Sequence, residues 1–574
     1  MSSYSARSAT RRGSIVPPLA GVDRPQLETV PDTCDVLICG TGLTESILAA
    51  ALAWQGTNVL HIDANNVYGD ANVCLASKDL KQWIESVANN AGEPTGMNAQ
   101  LYASSAANAS NRARRFLFDL SPHLMFVKSD MLELLLKSRV AQYLEFKGLS
   151  QFHTYEKDSF ERVSGNKEAI FTDQSLPIRT KRKLMKFIKF VLEWQVDENM
   201  VSEWSKVPVD TFLGTEFDLD KAQITELVIA LGLCDRLDVS TAYALPRIRR
   251  YLLSLDVYGQ FPAVYSMYGS SGELSQGFCR SAAVGGATYK LGVQLVGWDE
   301  ANNIATLSDG SRVQVAEKAF LSPTQPSPLR PLFNIDDPVS HAGLVADGEK
   351  LGTTSRLVAV VTNECREWFS EGESAAIVVF PPHTLSTNNE FAVQTIVYGP
   401  GAGCVPEGFS CWYLSTHNPD ARRAREDLSD ALNKLEASIL RESQVNFQLG
   451  SLSREDVAFK NGVPVVSSVR LGESMSNFVP KQRLNYLFKL AYSTPTSRGR
   501  NFAHTTLKPV VEGSPSLLTT LFTPGDMSYD GIVSQARKLY ETVVGSDDDF
   551  FDVDFEDEAE EPAEKHDEVM HMEI

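Results

Sequence analysis

Residues Cys34–Asp70 read CDVLICGTGLTESILAAALAWQGTNVLHIDANNVYGD. Asp35–Cys39 is an apolar run of β character, and Gly40 and Gly42 follow it at once. Leu43, Ile47, Leu48, Ala51 and Leu52 then recur at helical spacing. A second apolar run, Asn58–Ile62, ends at the acidic Asp63. A strand, a G-x-G turn, a helix, a strand and an acid about 20 residues on is the opening of a dinucleotide-binding βαβ unit. One position breaks the fingerprint: Glu45 stands where a third small residue should let the helix pack closely on the strand. Its carboxylate also puts negative charge where a pyrophosphate would lie. Gly40, Gly42, Glu45 and Asp63 therefore predict the architecture with a relic cofactor site, and no bound flavin or NAD.

Outward from this unit, the chain has 574 residues, of which 43% are hydrophobic. That is enough for a real core and for roughly two to four domains of about 150 residues. The formal charge is −20. Residues 546–574 carry seven Asp and seven Glu against one Lys, so −13 of it lies there. The body, at −7, is only mildly acidic and offers no extended basic surface for nucleic acid. The final stretch is expected to be a disordered acidic tail, with Phe550, Phe551 and Phe555 either solvated or forming a short docking motif. Eight cysteines, none in a C-x-x-C pair, predict reduced thiols and no zinc site. The first 20 residues lack the apolar core of a secretory signal, no run of 18 apolar residues suggests a membrane span, and the C-terminus carries no prenylation box.

Five segments are expected. Residues 1–33 are Ser-, Arg- and Pro-rich and read as a disordered tail. Residues 34–164 form the first part of a large domain, with 89–111 as an insertion or long loop. Residues 165–260 read as helical, 261–545 complete the large domain, and 546–574 are the tail. In the helical part Pro177 opens a helix whose Leu184, Phe187, Ile188, Val191 and Leu192 share a face. Residues 286–322 and 356–415 read as strands and turns. No H-E-x-x-H, G-x-S-x-G or P-loop pattern occurs, and His61, His123 and His153 are expected to be core histidines.

GTGLTES followed by VLHIDANNVYGD resembles the opening motif of the Rab GDP-dissociation inhibitor and Rab escort protein superfamily, where the third glycine is likewise a Glu. YGSSGELSQGFCRSAAVGGATYKLG, Tyr268 to Gly292, resembles its second motif, and Ser121–Leu149 its first helical segment. The resemblance spans about residues 34–500. It implies an α/β (α+β) fold: a FAD/NAD-binding-like large domain, without flavin, with a smaller all-helical domain inserted. It implies binding of GDP-bound Rab GTPases through a platform of Tyr68, Glu273 and Arg280. Without the resemblance, Glu273 and Arg280 would read as an internal surface pair. Two departures touch the platform: Ser275 replaces the usual Pro, and the late glycine pair is displaced to Gly285-Gly286-Ala287.

Within that superfamily the chain resembles the escort branch more than the inhibitor branch. The supporting features are its length, the Phe278-Cys279-Arg280 run, the segment Arg182–Phe187 and the run Ala424–Leu428. The resemblance implies a non-catalytic, cytosolic accessory of the Rab geranylgeranyltransferase heterodimer. Such a protein presents new Rab, shields the geranylgeranyl lipid and touches membranes transiently. Arg179, Lys181, Arg182 and Lys183 are then the expected transferase contact. Arg247, Arg249, Arg250 and Tyr251 fall in a candidate mobile loop, Arg247–Gly259, for membrane delivery. Helices 177–195 and 220–233 are candidates to lodge the lipid, and strands Ala375–Val379 and Phe391–Tyr398 to take the Rab C-terminal segment. An inhibitor that recycles prenylated Rab, or a FAD-dependent oxidoreductase, are the alternatives.

Overall fold

A computed structural model describes residues 30–89, 98–104, 116–156, 159–163, 177–193, 204, 206–259, 261–329, 351–442, 457–460, 463–466, 484–497, 507–510 and 514–552. The opening unit forms as read: strand Thr33–Cys39, helix Leu43–Trp54, strand Val59–Asp63. Strand 33–39 is the centre of a seven-stranded sheet, parallel to 59–63 on one side and to Arg312–Leu321 on the other. Thr33, assigned to the N-terminal tail, pairs with Gln314 and belongs to the sheet. Every residue of helix 43–54 from Leu43 to Ala53 is buried, not one face alone. Two further helices cover it, Ser270–Val284 and Ile532–Val544. Beyond Ser46 the helix is apolar on every side, which is the sequence of one enclosed all round.

An eight-stranded sheet forms the second layer. Its order is Asn98–Ser104, Tyr486–Ser497, Leu351–Val361, Ser410–Thr416, Val393–Tyr398, Ala375–Phe380, Phe152–Glu156 and Ser159–Arg162. Strand 98–104 lies within the expected insertion 89–111; it pairs antiparallel with strand 486–497, so that part is sheet rather than loop. Strand 375–380 is hydrogen-bonded on both sides, and so is 393–398. Ile377 and Val379 face one core, while Ala376, Val378 and Phe380 face another. These strands therefore have neither a free edge nor a free face for a partner's C-terminal segment, and that expectation is corrected. A run that is apolar at every position is what burial on both faces requires.

In chain order the helical unit lies between strand 159–162 of this layer and Ala263–Ser266, which belongs to a separate three-stranded sheet. It contains helices Ile178–Glu193, Val209–Phe217, Lys221–Thr225 and Thr241–Ser254, with a π-helical turn Glu226–Leu231. Leu184, Phe187, Ile188 and Val191 are buried as expected and join one cluster with Phe212, Phe217 and Ile224. The two helices expected to lodge a lipid thus bury these side chains against the rest of the unit.

The expected loop Arg247–Gly259 is helix as far as Ser254. Arg247 is 1% exposed and pairs with Asp526 and, at 3.7 Å, with Asp530. Arg250, also buried, pairs with Asp530 and donates to Ser528 Oγ at 3.1 Å. Tyr251 is buried, at 1% exposure. Arg247, Arg250 and Tyr251 are held inside the protein, fastening the helical unit to the stretch ahead of helix 532–544; Arg249 shares their helix. Buried charges need partners, and two aspartates nearly 280 residues away supply them.

The first residues assigned to the acidic tail, up to Asp552, are part of the folded body. Phe550 and Phe551 are each 1% exposed and belong to the core around helix 43–54. Gln55 donates to the Asp549 carbonyl at 2.7 Å and Lys137 to the Phe550 carbonyl at 3.1 Å. Phe551 packs on Phe278 at 6.2 Å between ring centroids. Phe555 lies outside the described residues. The eight cysteines form no disulfide among the described residues, and burial pushes the thiols of Cys34, Cys234, Cys279 and Cys404 up to about 12.

Candidate functional site

The glycine loop brings Gly40, Gly42, Glu45 and Asp63 together. Gly40 has φ +110°, and a Cβ there would lie 2.6 Å from Ser322 Cβ, so only glycine fits. Glu45 is buried and turns inward. Its Oε2 would lie 2.6 Å from a Cβ on Gly42, the N-cap, and its Oε1 accepts from Thr520 Oγ1 at 2.6 Å. The carboxylate therefore sits against its own helix N-terminus, the place where this fold offers backbone N–H groups to a phosphate. Burial raises Glu45 to about 7.

Asp63 accepts five hydrogen bonds, from Thr41 N and Oγ1, Asn65 N and Nδ2, and Gln325 Nε2, all between 2.7 and 3.0 Å. Asp70 accepts from Ser322 and Thr324 at 2.8 and 2.6 Å. Burial raises both carboxyls, and the donors oppose it. An acid whose two oxygens already take five donors has none left over for a ribose.

His61 links this loop to Tyr68. Burial lowers its imidazole to about 4, so it is neutral at pH 7. Nε2 lies 2.6 Å from the Gly40 carbonyl and must donate, which leaves Nδ1 to accept from Tyr289 OH at 3.2 Å. Tyr68, half-buried, then packs edge-on against Tyr289, centroids 5.8 Å apart. His123 is likewise a buried, hydrogen-bonded histidine, with Nδ1 2.6 Å from the Ser121 carbonyl. Among the described residues His153 Nε2 has no hydrogen-bond partner, and its ring packs on Trp368, so it is apolar packing rather than a polar anchor.

Helix 270–284 carries the other two expected residues. Its N-cap is Gly269, so the missing cap oxygen comes from Asp119, which accepts from Ser270 N at 2.8 Å. The helix runs without interruption through Ser275, which is buried and bonds back to the Ser271 carbonyl at 2.9 Å. Gly272 lets it touch the turn Asp70–Asn72: a Cβ there would be 3.1 Å from the Asn72 carbonyl. Gly285 lets its far end approach Ala53 and Trp54. The turn after Tyr68 and the first turn of this helix are thus pressed together.

Glu273, Gln276, Arg280 and Ala283 recur at three- and four-residue spacing along the outer face of this helix, with Glu273 half-buried and the others exposed. Neither Glu273 nor Arg280 makes an ion pair among the described residues, and seven residues of helix hold them about 10 Å apart along the axis. The internal surface pair is therefore excluded. Burial pushes the Glu273 carboxyl up. Arg280 lies over the ring of Tyr143, 4.5 Å from its centroid. Tyr143, 39% exposed, was not marked by any feature of its own segment.

The basic residues elsewhere are less consistent. Arg179 and Lys183 pair with Asp218 at 3.7 and 2.6 Å, while Arg182 is exposed and Lys181 partly so. No His, Cys, Asp and Glu group suited to a metal occurs among the described residues, nor any helix long and apolar enough to cross a membrane.

A family model described as "GDP dissociation inhibitor" matches residues 30–327. The chain belongs to the GDP dissociation inhibitor family. It is 46% identical over 560 residues to the Saccharomyces cerevisiae "Rab proteins geranylgeranyltransferase component A", covering 95% of this chain and 90% of that one. The Candida albicans protein of the same name is 41% identical, with coverages of 92% and 87%. Among solved structures, a Plasmodium falciparum Rab GDI aligns with TM-score 0.59 at 18% identity, over 90% of this chain and 99% of that one. This last likeness concerns the fold. In this family member the two motif segments are thus the two pieces that meet at Tyr68 and helix 270–284.

Proposed function

We propose that this family member is a Rab escort protein. It binds newly made, GDP-bound Rab GTPases, presents them to the Rab geranylgeranyltransferase heterodimer, shields the attached geranylgeranyl groups and hands Rab to membranes, itself remaining cytosolic. It performs no chemistry of its own. The observation that carries the reading is the outer face of helix 270–284. Glu273 and Arg280 make no ion pair among the described residues, on a helix whose first turn adjoins the turn that follows the half-buried Tyr68. Such groups are stable on a surface when water or a second protein completes them, and an Arg with a tyrosine nearby is the composition of interface hot spots.

The escort branch is supported by two relatives named as the transferase's component A, each covering about nine-tenths of the chain. The Saccharomyces cerevisiae Rab GDP-dissociation inhibitor is 29% identical and covers 46% of the chain. Recycling of prenylated Rab remains the second reading, because the two branches share the platform. The cofactor-free reading is supported by Glu45 on its own helix terminus and by the saturated Asp63. The residues present do not fit a dinucleotide. The deciding experiment adds the purified protein to transferase, geranylgeranyl diphosphate and unmodified GDP-loaded Rab. Lipid transfer should depend on it; transfer at the same rate without it rejects the escort assignment.

A further inference from the structure

Arg280 is exposed, makes no ion pair among the described residues, and yet is not loose. What it rests on is the 3₁₀ turn Val140–Tyr143, preceded by Arg139 in the left-handed conformation at φ +56°. The turn reaches helix 270–284 because residue 277 is glycine: a Cβ there would lie 2.9 Å from Val140 Cγ1 and 3.6 Å from a Leu144 methyl. Val140 is fully buried in that contact, whereas Tyr143 stays 39% exposed with its ring under the guanidinium. The strand that follows, Phe146–Leu149, is fixed antiparallel to Ala263–Ser266, which leads directly into the helix. Turn and helix are therefore one rigid frame.

We propose that Tyr143 is a positioning residue for Arg280, holding its guanidinium in the geometry that the GTPase meets. This rests on the platform reading above. A free arginine on a helix surface samples many rotamers and must be ordered at each encounter. Stacked on a ring face, it is attracted by the ring quadrupole and keeps its in-plane N–H donors directed outward. Gly277 is the element that permits the arrangement, because any larger residue would push the turn away and leave the arginine unsupported.

The test is a set of variants measured for binding to GDP-loaded Rab. Tyr143→Phe keeps the ring face and should bind within about twofold of the parent, while Tyr143→Leu and Tyr143→Ala should each bind about three- to fivefold more weakly. In an Arg280→Ala background the same Tyr143 changes should have no further effect, since there is nothing left to position. Equal loss in both backgrounds makes Tyr143 a direct contact or a purely structural residue, and overturns the inference. So does a Leu variant that binds like the parent. If Arg280→Ala itself leaves affinity unchanged, the platform reading falls, and this inference with it. Because Phe and Leu both retain bulk, a folding defect in the Ala variant does not blur the outcome.

Discussion

The glycine loop and the outer face of helix 270–284 come from the two motifs of one family, and their charges are treated in opposite ways. Around the loop, Glu45, Asp63 and Asp70 are buried and their oxygens are taken by Thr520, Thr41, Asn65, Gln325, Ser322 and Thr324. On the helix face, Glu273 and Arg280 make no ion pair among the described residues, and both reach solvent. The two motifs thus hold one polar set closed inward and one left open. The inward set holds the fold; the open set is where a second protein can add energy. This division makes distinct demands on variants: inward changes should cost stability and leave affinity per folded molecule intact, and outward changes the reverse.

The largest effect is expected where inward charges are paired. Arg247→Ala or Asp526→Ala leaves a buried ion without its partner, which should cost about 3–5 kcal/mol in chemical denaturation. A loss under about 1 kcal/mol would mean that the network is solvated, and the contrast would blur. Next comes Phe551→Ala, expected to cost about 3 kcal/mol for a fully buried aromatic, although it lies in a stretch whose composition is that of a tail. Proteolysis that removes residues beyond 545 without lowering the thermal midpoint would contradict that packing. On the open side, Arg280→Ala should weaken binding of GDP-loaded Rab by at least about tenfold while leaving the thermal midpoint unchanged. Glu273→Ala should act in the same direction.

The sequence revealed these regions unequally, for physical reasons. The βαβ unit was legible because its signals are local: a glycine that must take φ +110°, an apolar helix, and an acid at the end of the next strand. Tyr68, Glu273 and Arg280 were marked only through the motifs in which they sit, and the fold leaves the two charged ones on the outer face of helix 270–284. What remained hidden depends on distant partners. Arg247 and Arg250 look like a charged, Pro246-interrupted stretch until Asp526 and Asp530 are placed beside them. Phe550 and Phe551 look solvated among acids until Phe278, Gln55 and Lys137 are seen to receive them. The run Ala375–Phe380 is equally apolar whether a strand is central or waits for a ligand, so only the neighbours on both sides decide. Tyr143 carried no mark at all, because its place under Arg280 depends on a glycine 134 residues later in the chain.

The smallest expected effect tests the inward set most directly. Glu45 is raised to about 7 in the fold, against an ordinary value of 4.5. The folded state therefore holds this proton where the unfolded chain has released it. Its contribution to stability is fully present below the unfolded value and is lost as pH rises through about 7. Asp70, raised to about 6 by burial and by the charge of Asp63, adds a loss of the same sign at lower pH. Between pH 6 and 7 Glu45 alone should remove about 1 kcal/mol of stability, the slope of nearly one proton. Glu45→Gln cannot titrate and should lack that part of the slope, while binding GDP-loaded Rab as the parent does. Should the variant keep the parent's slope over this interval, the carboxylate would be ionised and stabilised where it lies. Glu45 would then belong with the charges that the fold accommodates openly, and the division between the two motifs would have to be redrawn at helix 43–54.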